Sequence, residues 1–227
     1  MVSISTVLLT ELSANAQKGH WEQYNKKLSE ALNIMVLLTL PIVVYSQIHG
    51  KEIISLLFKQ AAFTEESVLL TLSAFRWHIA AIVFIGFNRI LAPVFYSMYN
   101  TKAPAWAGVI SVAVNLLLVA LFAGPWKGAG IALAGSLAAL ANTFVLLILL
   151  TQYREIALGQ LLKKMLAYIG LVGLVSLLAA VPIYFLKEAL LGSLAGRRKL
   201  ILYGLPIALD ALVFFIIIFG ILYLFKD

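Results

Sequence analysis

The sequence predicts an all-α polytopic membrane protein with six full transmembrane helices plus the end of a preceding one. Three observations carry that prediction. Of 227 residues, 63% are hydrophobic and 12% charged, whereas a soluble domain carries about 25% charged residues. The mean hydropathy is +1.00, so the chain lacks the polar surface needed to face water. The apolar residues also gather in runs close to the roughly 20 residues a helix needs to cross a bilayer. These runs far exceed the roughly 10-residue alternating strands of a membrane barrel. Only helices or closed barrels satisfy every backbone polar group in lipid.

Val2 to Leu9 is an apolar run too short to span and reads as the last turns of a helix whose beginning is missing. Residues 12–27, with Lys18, His20, Glu22, Lys26 and Lys27, read as a loop or an amphipathic surface helix. The first span covers about Leu28 to Ile48 and contains Pro41, a residue membrane helices tolerate when neighbours satisfy the freed carbonyl. Ile53–Phe58 is short and flanked by Lys51, Glu52 and Lys59, which places it at the interface. The second span, about Leu70 to Met98, holds Arg76, His78, Asn88, Arg89 and Pro93. Asn100 to Pro104 is a turn, since a residue before proline avoids the helical region. Ala105 to Ala123 is the third span, and Gly124 to Gly128 turns the chain into the fourth, Ala129 to Leu150. Its Ala132, Ala134, Gly135, Ser136, Ala138 and Ala139 permit close helix approach in lipid. Residues 151–164 connect to a fifth span, about Met165 to Leu186, and a basic linker leads to the sixth, about Leu200 to Phe225.

The net charge of +7 comes from Lys and Arg scattered between apolar runs. That pattern suits loop charges meeting anionic headgroups and argues against nucleic acid as a partner. One face of the membrane would hold Lys18, Lys26, Lys27, Lys102, Arg154, Lys163, Lys164 and Lys226. The other would hold Lys51, Lys59, Lys127, Lys187, Arg197, Arg198 and Lys199. Charge therefore leaves the orientation open. With no cysteine, the chain has no disulfide, thiolate metal site or Cys nucleophile. No catalytic or metal constellation is visible: His20, His49 and His78 have no ligand partner at helical spacing, and no cofactor is implied. A membrane transferase would need a clustered carboxylate or metal site.

Polar groups inside apolar spans are the informative residues, because an intramembrane charge is costly and usually faces a bundle interior or a wet cavity. Arg89, with Asn88 beside it, is the leading substrate-binding candidate. A guanidinium there can grip a phosphate through paired hydrogen bonds, or pair with another helix, or snorkel to headgroups. Asn115 and Ser136 either line a polar pathway or make interhelical hydrogen bonds. Asp210 is a candidate proton carrier or a partner for a basic group.

Arg89-Ile90-Leu91-Ala92-Pro93-Val94-Phe95-Tyr96, followed by Thr101-Lys102-Ala103-Pro104, resembles the pattern of the MurJ (MviN) family of lipid II flippases: a basic residue, V/I-L-A-P-x-F-Y, then T-[KR]-[TA]-P. Leu56 to Phe63 looks like the family's L-L-F-x-x-G-A-F with Ala61 in place of glycine. Gly128 to Ala139 is similar to its G-x-x-G-[IL]-A-L-A-x-S-L-A-A. Thr6 to Ser13 resembles T-V-L-L-P-x-L-S, with Thr10 replacing the proline. The resemblance covers about residues 2–155.

Members of that family have fourteen helices, two lobes of six plus a terminal pair. The resemblance thus implies that residues 1–155 are a partial C-terminal lobe, the end of one helix plus four spans, and residues 156–227 an additional helix pair. It implies a multi-pass protein of the bacterial inner membrane, its first set of loops cytoplasmic. That protein would be a non-enzymatic part of a flippase moving undecaprenyl-pyrophosphate-linked peptidoglycan precursor by alternating access. Its partners would be lipid II, membrane lipids and the missing N-terminal lobe. The rival readings are a non-transporting membrane scaffold or an exporter of another polyprenyl-linked oligosaccharide.

Overall fold

The computed structural model describes residues 2–60 and 62–224, with side chains from Ser5 onward; Ala61, Phe225 and Lys226 lie outside the described residues. Helices α1 (Val2–Gln17), α2 (Trp21–Phe58), α3 (Glu65–Ser97), α4 (Lys102–Leu150), α5 (Leu158–Ser193) and α6 (Leu205–Leu224) follow one another through short turns. Among the described residues, five helices are long and apolar enough to cross a membrane, the last running from Leu200 through a wide π-helical turn into α6. The chain is a multi-pass α-helical membrane protein.

α4 reconciles five helices with six expected spans. At Lys127 the backbone leaves helical geometry (φ 49°, ψ −128°), and the two arms, 102–126 and 128–150, fold back on each other. The Ser111 hydroxyl donates to the Ala138 carbonyl across them (2.8 Å). Near the apex, Gly130 lies so close to the Phe122 backbone that a Cβ would stand 2.1 Å from its carbonyl oxygen. The turn expected over 124–128 is therefore the tip of a helical hairpin.

Two expectations change. Residues 12–27 lie mostly at the surface but are not one segment: α1 runs through Thr10 to Gln17, the chain turns over 18–20, α2 begins at Trp21, and Leu12 and Tyr24 are fully buried. The Tyr24 hydroxyl lies 2.8 Å from that of Ser97, which fixes the start of α2 against the end of α3. Ile53–Phe58 is not a separate interfacial stretch but the last turns of α2, which continues through Gly50, Lys51 and Glu52. The cause is tertiary: Ile54 packs with Val68 and Leu72 of α3. With 38 residues, α2 is about 57 Å long at 1.5 Å per residue, so its ends project past a hydrocarbon core of about 30 Å.

α2 is the strut of the fold, in contact with α1, α3, α5 and α6. Its central residues Leu28, Leu32, Met35 and Val36 meet Phe87, Ile90, Leu91 and Val94 of α3 in the main core, which Leu161, Met165 and Val172 of α5 extend. A smaller cluster joins Val175, Ala179 and Ile183 of α5 to Phe214 and Ile218 of α6 and to Tyr45 of α2.

Polar contacts bind the helix ends at the face that carries the 18–20, 98–101 and 151–157 turns. Asn25 donates to the Glu155 carbonyl (2.9 Å) and accepts from the Ala157 amide (3.0 Å). Asn100 donates to the Tyr153 hydroxyl (2.9 Å) and accepts from the Ala103 amide (3.0 Å), capping α4. At the other face, Thr64 caps α3, whose first turn carries Glu65 and Glu66, where negative charge favours the helix dipole. Glu65 pairs with Lys51 (2.6 Å) and Lys59 (2.7 Å). The Lys59 hydrogen bond to that carboxylate holds the ammonium above its ordinary pKa.

Candidate functional site

α1, α2 and α4 pack around α3 and leave one stripe of it uncovered beyond its first turns. His78, Ile85, Arg89 and Tyr96 are exposed, at intervals that return to a single helix face. Arg89 sits about 12 Å from the Ser97 end of the helix at 1.5 Å per residue. No hydrogen bond or ion pair joins its guanidinium to another described residue. A charge on an apolar span without a protein partner must find a headgroup, water or a ligand.

Asn88 points elsewhere. Its amide donates to the Ala139 carbonyl (3.0 Å) and its carbonyl accepts from the Thr143 hydroxyl (2.9 Å), so it stitches α3 to the second arm of α4. Sequence adjacency placed the two residues together, but successive residues on a helix diverge by about 100°. A clear contrast follows. Asn88→Leu should lower stability by about 0.5–2 kcal/mol, the range for an interhelical hydrogen bond in lipid. Arg89→Ala should stay within about 0.5 kcal/mol, as exposed positions do. Unfolding of both variants in mixed micelles reads the difference.

Ser136 is buried, and its hydroxyl lies 2.7 Å from the Trp77 carbonyl of α3 and 2.9 Å from that of Ala132. It joins helices in the same manner as Asn88. Asn115 is half-buried; its amide nitrogen and His78 Cε1 approach Gly135, at 3.8 and 4.0 Å from where a Cβ would stand. His78 and Asn115 thus both border Gly135, a residue without a side chain, and His78 lies about 16 Å along α3 from Arg89.

Asp210 occupies a different place. It is fully buried on α6, with Oδ2 3.3 Å from His49 Nε2 on α2. Glu52, one turn after His49, pairs with Lys187 of α5 at 3.5 Å. The sequence pattern places His49, Glu52 and Lys187 beyond the spans, because the apolar runs end at about Ile48 and Leu186. The usable signal was the spacing of His49 and Glu52, which share one face if α2 continues.

Comparison with known proteins agrees with this architecture. A family model described as lipid II flippase MurJ matches residues 1–197. The chain is 34% identical over 214 residues to the probable lipid II flippase MurJ of Treponema pallidum, covering 94% of this chain and 41% of that protein. It is 31% identical over 176 residues to the corresponding protein of Bdellovibrio bacteriovorus, covering 75% and 34%. A solved structure titled lipid II flippase MurJ, inward closed conformation, shares the fold with a TM-score of 0.71 at 23% identity, across 94% of this chain and 41% of that one. The chain therefore spans about two fifths of the length of these relatives, or less.

Proposed function

Because the chain belongs to the lipid II flippase MurJ family, we propose that it forms the C-terminal part of a flippase for a polyprenyl-pyrophosphate-linked peptidoglycan precursor in the bacterial inner membrane. In this reading residues 1–155 belong to one transmembrane lobe and residues 156–227 add the terminal helix pair. The chemistry is translocation, with no bond made or broken, so the working groups are those that bind and release.

The observation that carries the reading is the uncovered guanidinium of Arg89 on the exposed stripe of α3. A pyrophosphate bears negative charge and several acceptor oxygens, which a planar guanidinium meets through two parallel hydrogen bonds. Its exposure keeps it free for a mobile ligand, whereas Asn88, Ser136 and Thr143 are spent on helix contacts. Rocking of this lobe against a second one would then present the stripe to each side of the membrane in turn. Asn88 acts through the position of α3 rather than by touching the ligand.

The test is a chimera in which these residues replace the matching part of the Treponema pallidum relative, expressed in cells depleted of their own flippase. The chimera should restore growth. Arg89→Ala should abolish or cut transport by about tenfold or more, the value of a charge-assisted pair, and Arg89→Lys should recover part of it. A chimera that inserts normally yet never restores growth would refute the proposal. Full activity of the Arg89→Ala chimera would remove Arg89 from it.

A further inference from the structure

The seam where α2 meets α5 and α6 holds four ionisable side chains, three of which, His49, Glu52 and Lys187, lie just past the ends of apolar runs in the sequence. His49 and Asp210 are fully buried, while the Glu52 and Lys187 side chains are 7% and 11% exposed. Lys187 also donates to the Ile48 carbonyl (3.3 Å), passes 5.5 Å above the Tyr184 ring and lies 3.8 Å from Glu188. The Tyr45 ring stacks on His49 at 4.5 Å and its hydroxyl donates to the Ile207 carbonyl. Phe214 closes over Tyr45 from α6. From α3, Leu72 and Phe75 face the neighbouring Gly50, so that side is apolar.

The charges in this seam do not balance. Glu52 and Asp210 as carboxylates, Lys187 as an ammonium and His49 as a neutral imidazole leave one negative charge in an apolar setting. An uncompensated buried charge is among the most costly arrangements in a protein. Five of the seven buried side-chain polar atoms without a hydrogen-bond partner among the described residues fall here: both ring nitrogens of His49, both carboxylate oxygens of Asp210 and Oε2 of Glu52. One added proton removes the charge and supplies a donor between the two closest of these atoms. The seam opens toward solvent at Glu188, whose side chain is 58% exposed, next to Lys187.

We propose that His49 and Asp210 form a single-proton binding site, the proton held between Nε2 and Oδ2, with Glu52 and Lys187 as the flanking pair that makes single occupancy neutral. The proton comes from water, and no other bond changes. Either the imidazole carries it as imidazolium against a carboxylate, or the carboxyl carries it and faces a neutral imidazole; the two forms are one site. The site is independent of the Arg89 reading, since it needs no substrate and no second lobe.

The composition makes the test clean. The chain has three histidines and only two aspartates, Asp210 and the terminal Asp227, so isotope labelling resolves the site without a variant. The full chain, labelled with [15N]histidine and [13C]aspartate and placed in lipid nanodiscs, is studied at about pH 7, where an unperturbed Asp is ionised and His mostly neutral. The expected result is one proton at the pair, seen as a doubly protonated His49 by nitrogen NMR or a protonated Asp210 carboxyl by isotope-edited infrared. In Asp210→Asn the infrared band disappears and His49 becomes neutral, while His20 and His78 keep their wild-type signals. A neutral His49 facing an ionised Asp210 in the wild-type chain would overturn the proposal, and so would a proton on both groups. Because the wild-type spectra decide, a poorly folding variant does not blunt the test.

Discussion

Lys187→Met should lower the stability of the chain by about 3–5 kcal/mol, the cost of removing one partner from a buried ion pair. Glu52 would keep its charge beside Asp210 without its ion-pair partner, since the cation at 3.5 Å is Lys187. The double variant Glu52→Gln/Lys187→Met should recover most of that loss, because replacing both members of a buried pair is often neutral. Unfolding in mixed micelles, compared as a double-mutant cycle, separates the pair from its parts. The wild-type Glu52–Lys187 distance predicts strong coupling, and additive losses would mean the pair contributes nothing as a unit.

Gly130→Ala should be damaging out of proportion to one methyl group. Its Cβ would stand 2.1 Å from the Phe122 carbonyl oxygen and 2.6 Å from the carbonyl carbon. Both are backbone atoms, so no rotamer change can relieve the overlap and the hairpin tip must open. Overpacking that forces backbone shifts costs about 1–3 kcal/mol. The opposite sign is expected three residues earlier. Lys127 holds φ 49°, ψ −128°, a conformation glycine adopts freely and a β-carbon resists. Lys127→Gly should therefore raise stability by about 1 kcal/mol or more, the scale of stored backbone strain. Unfolding of the two variants, with protease sensitivity over 122–130, measures both effects.

Much of the fold was legible because lipid imposes simple rules. Apolar runs of spanning length became helices, and the Gly124–Gly128 cluster became the tip of a hairpin; the turn expected over 100–104 falls at 98–101 instead, because Lys102 to Pro104 form the first turn of α4, where proline needs no backbone donor. The failures share one cause. Gly50-Lys51-Glu52 looks like the end of a span when read locally. In the fold, Glu52 turns toward Lys187, which follows it by more than a hundred residues, and the helix continues. His49 and Asp210 are equally remote in sequence, so their meeting depends on how α6 docks on α2, which periodicity does not encode. At the candidate site, Arg89 was found by its charge alone, which is a local property. Asn88 was grouped with it by adjacency, although helix geometry turns the two side chains to different neighbours.

The hairpin of α4 leans on the rest of the molecule almost entirely through its second arm. Thr143, Ser136 and Ala139 of that arm meet α3, whereas between Ala107 and Gly130 no residue of the first arm is buried. Large apolar side chains such as Trp106, Val112, Leu116 and Leu121 are uncovered there. This arm is the outer margin of the chain, and its cohesion is borrowed from its surroundings. Extraction into a short-chain detergent should loosen this margin before any other element, so choosing a solubilising medium amounts to choosing the neighbours of one helix.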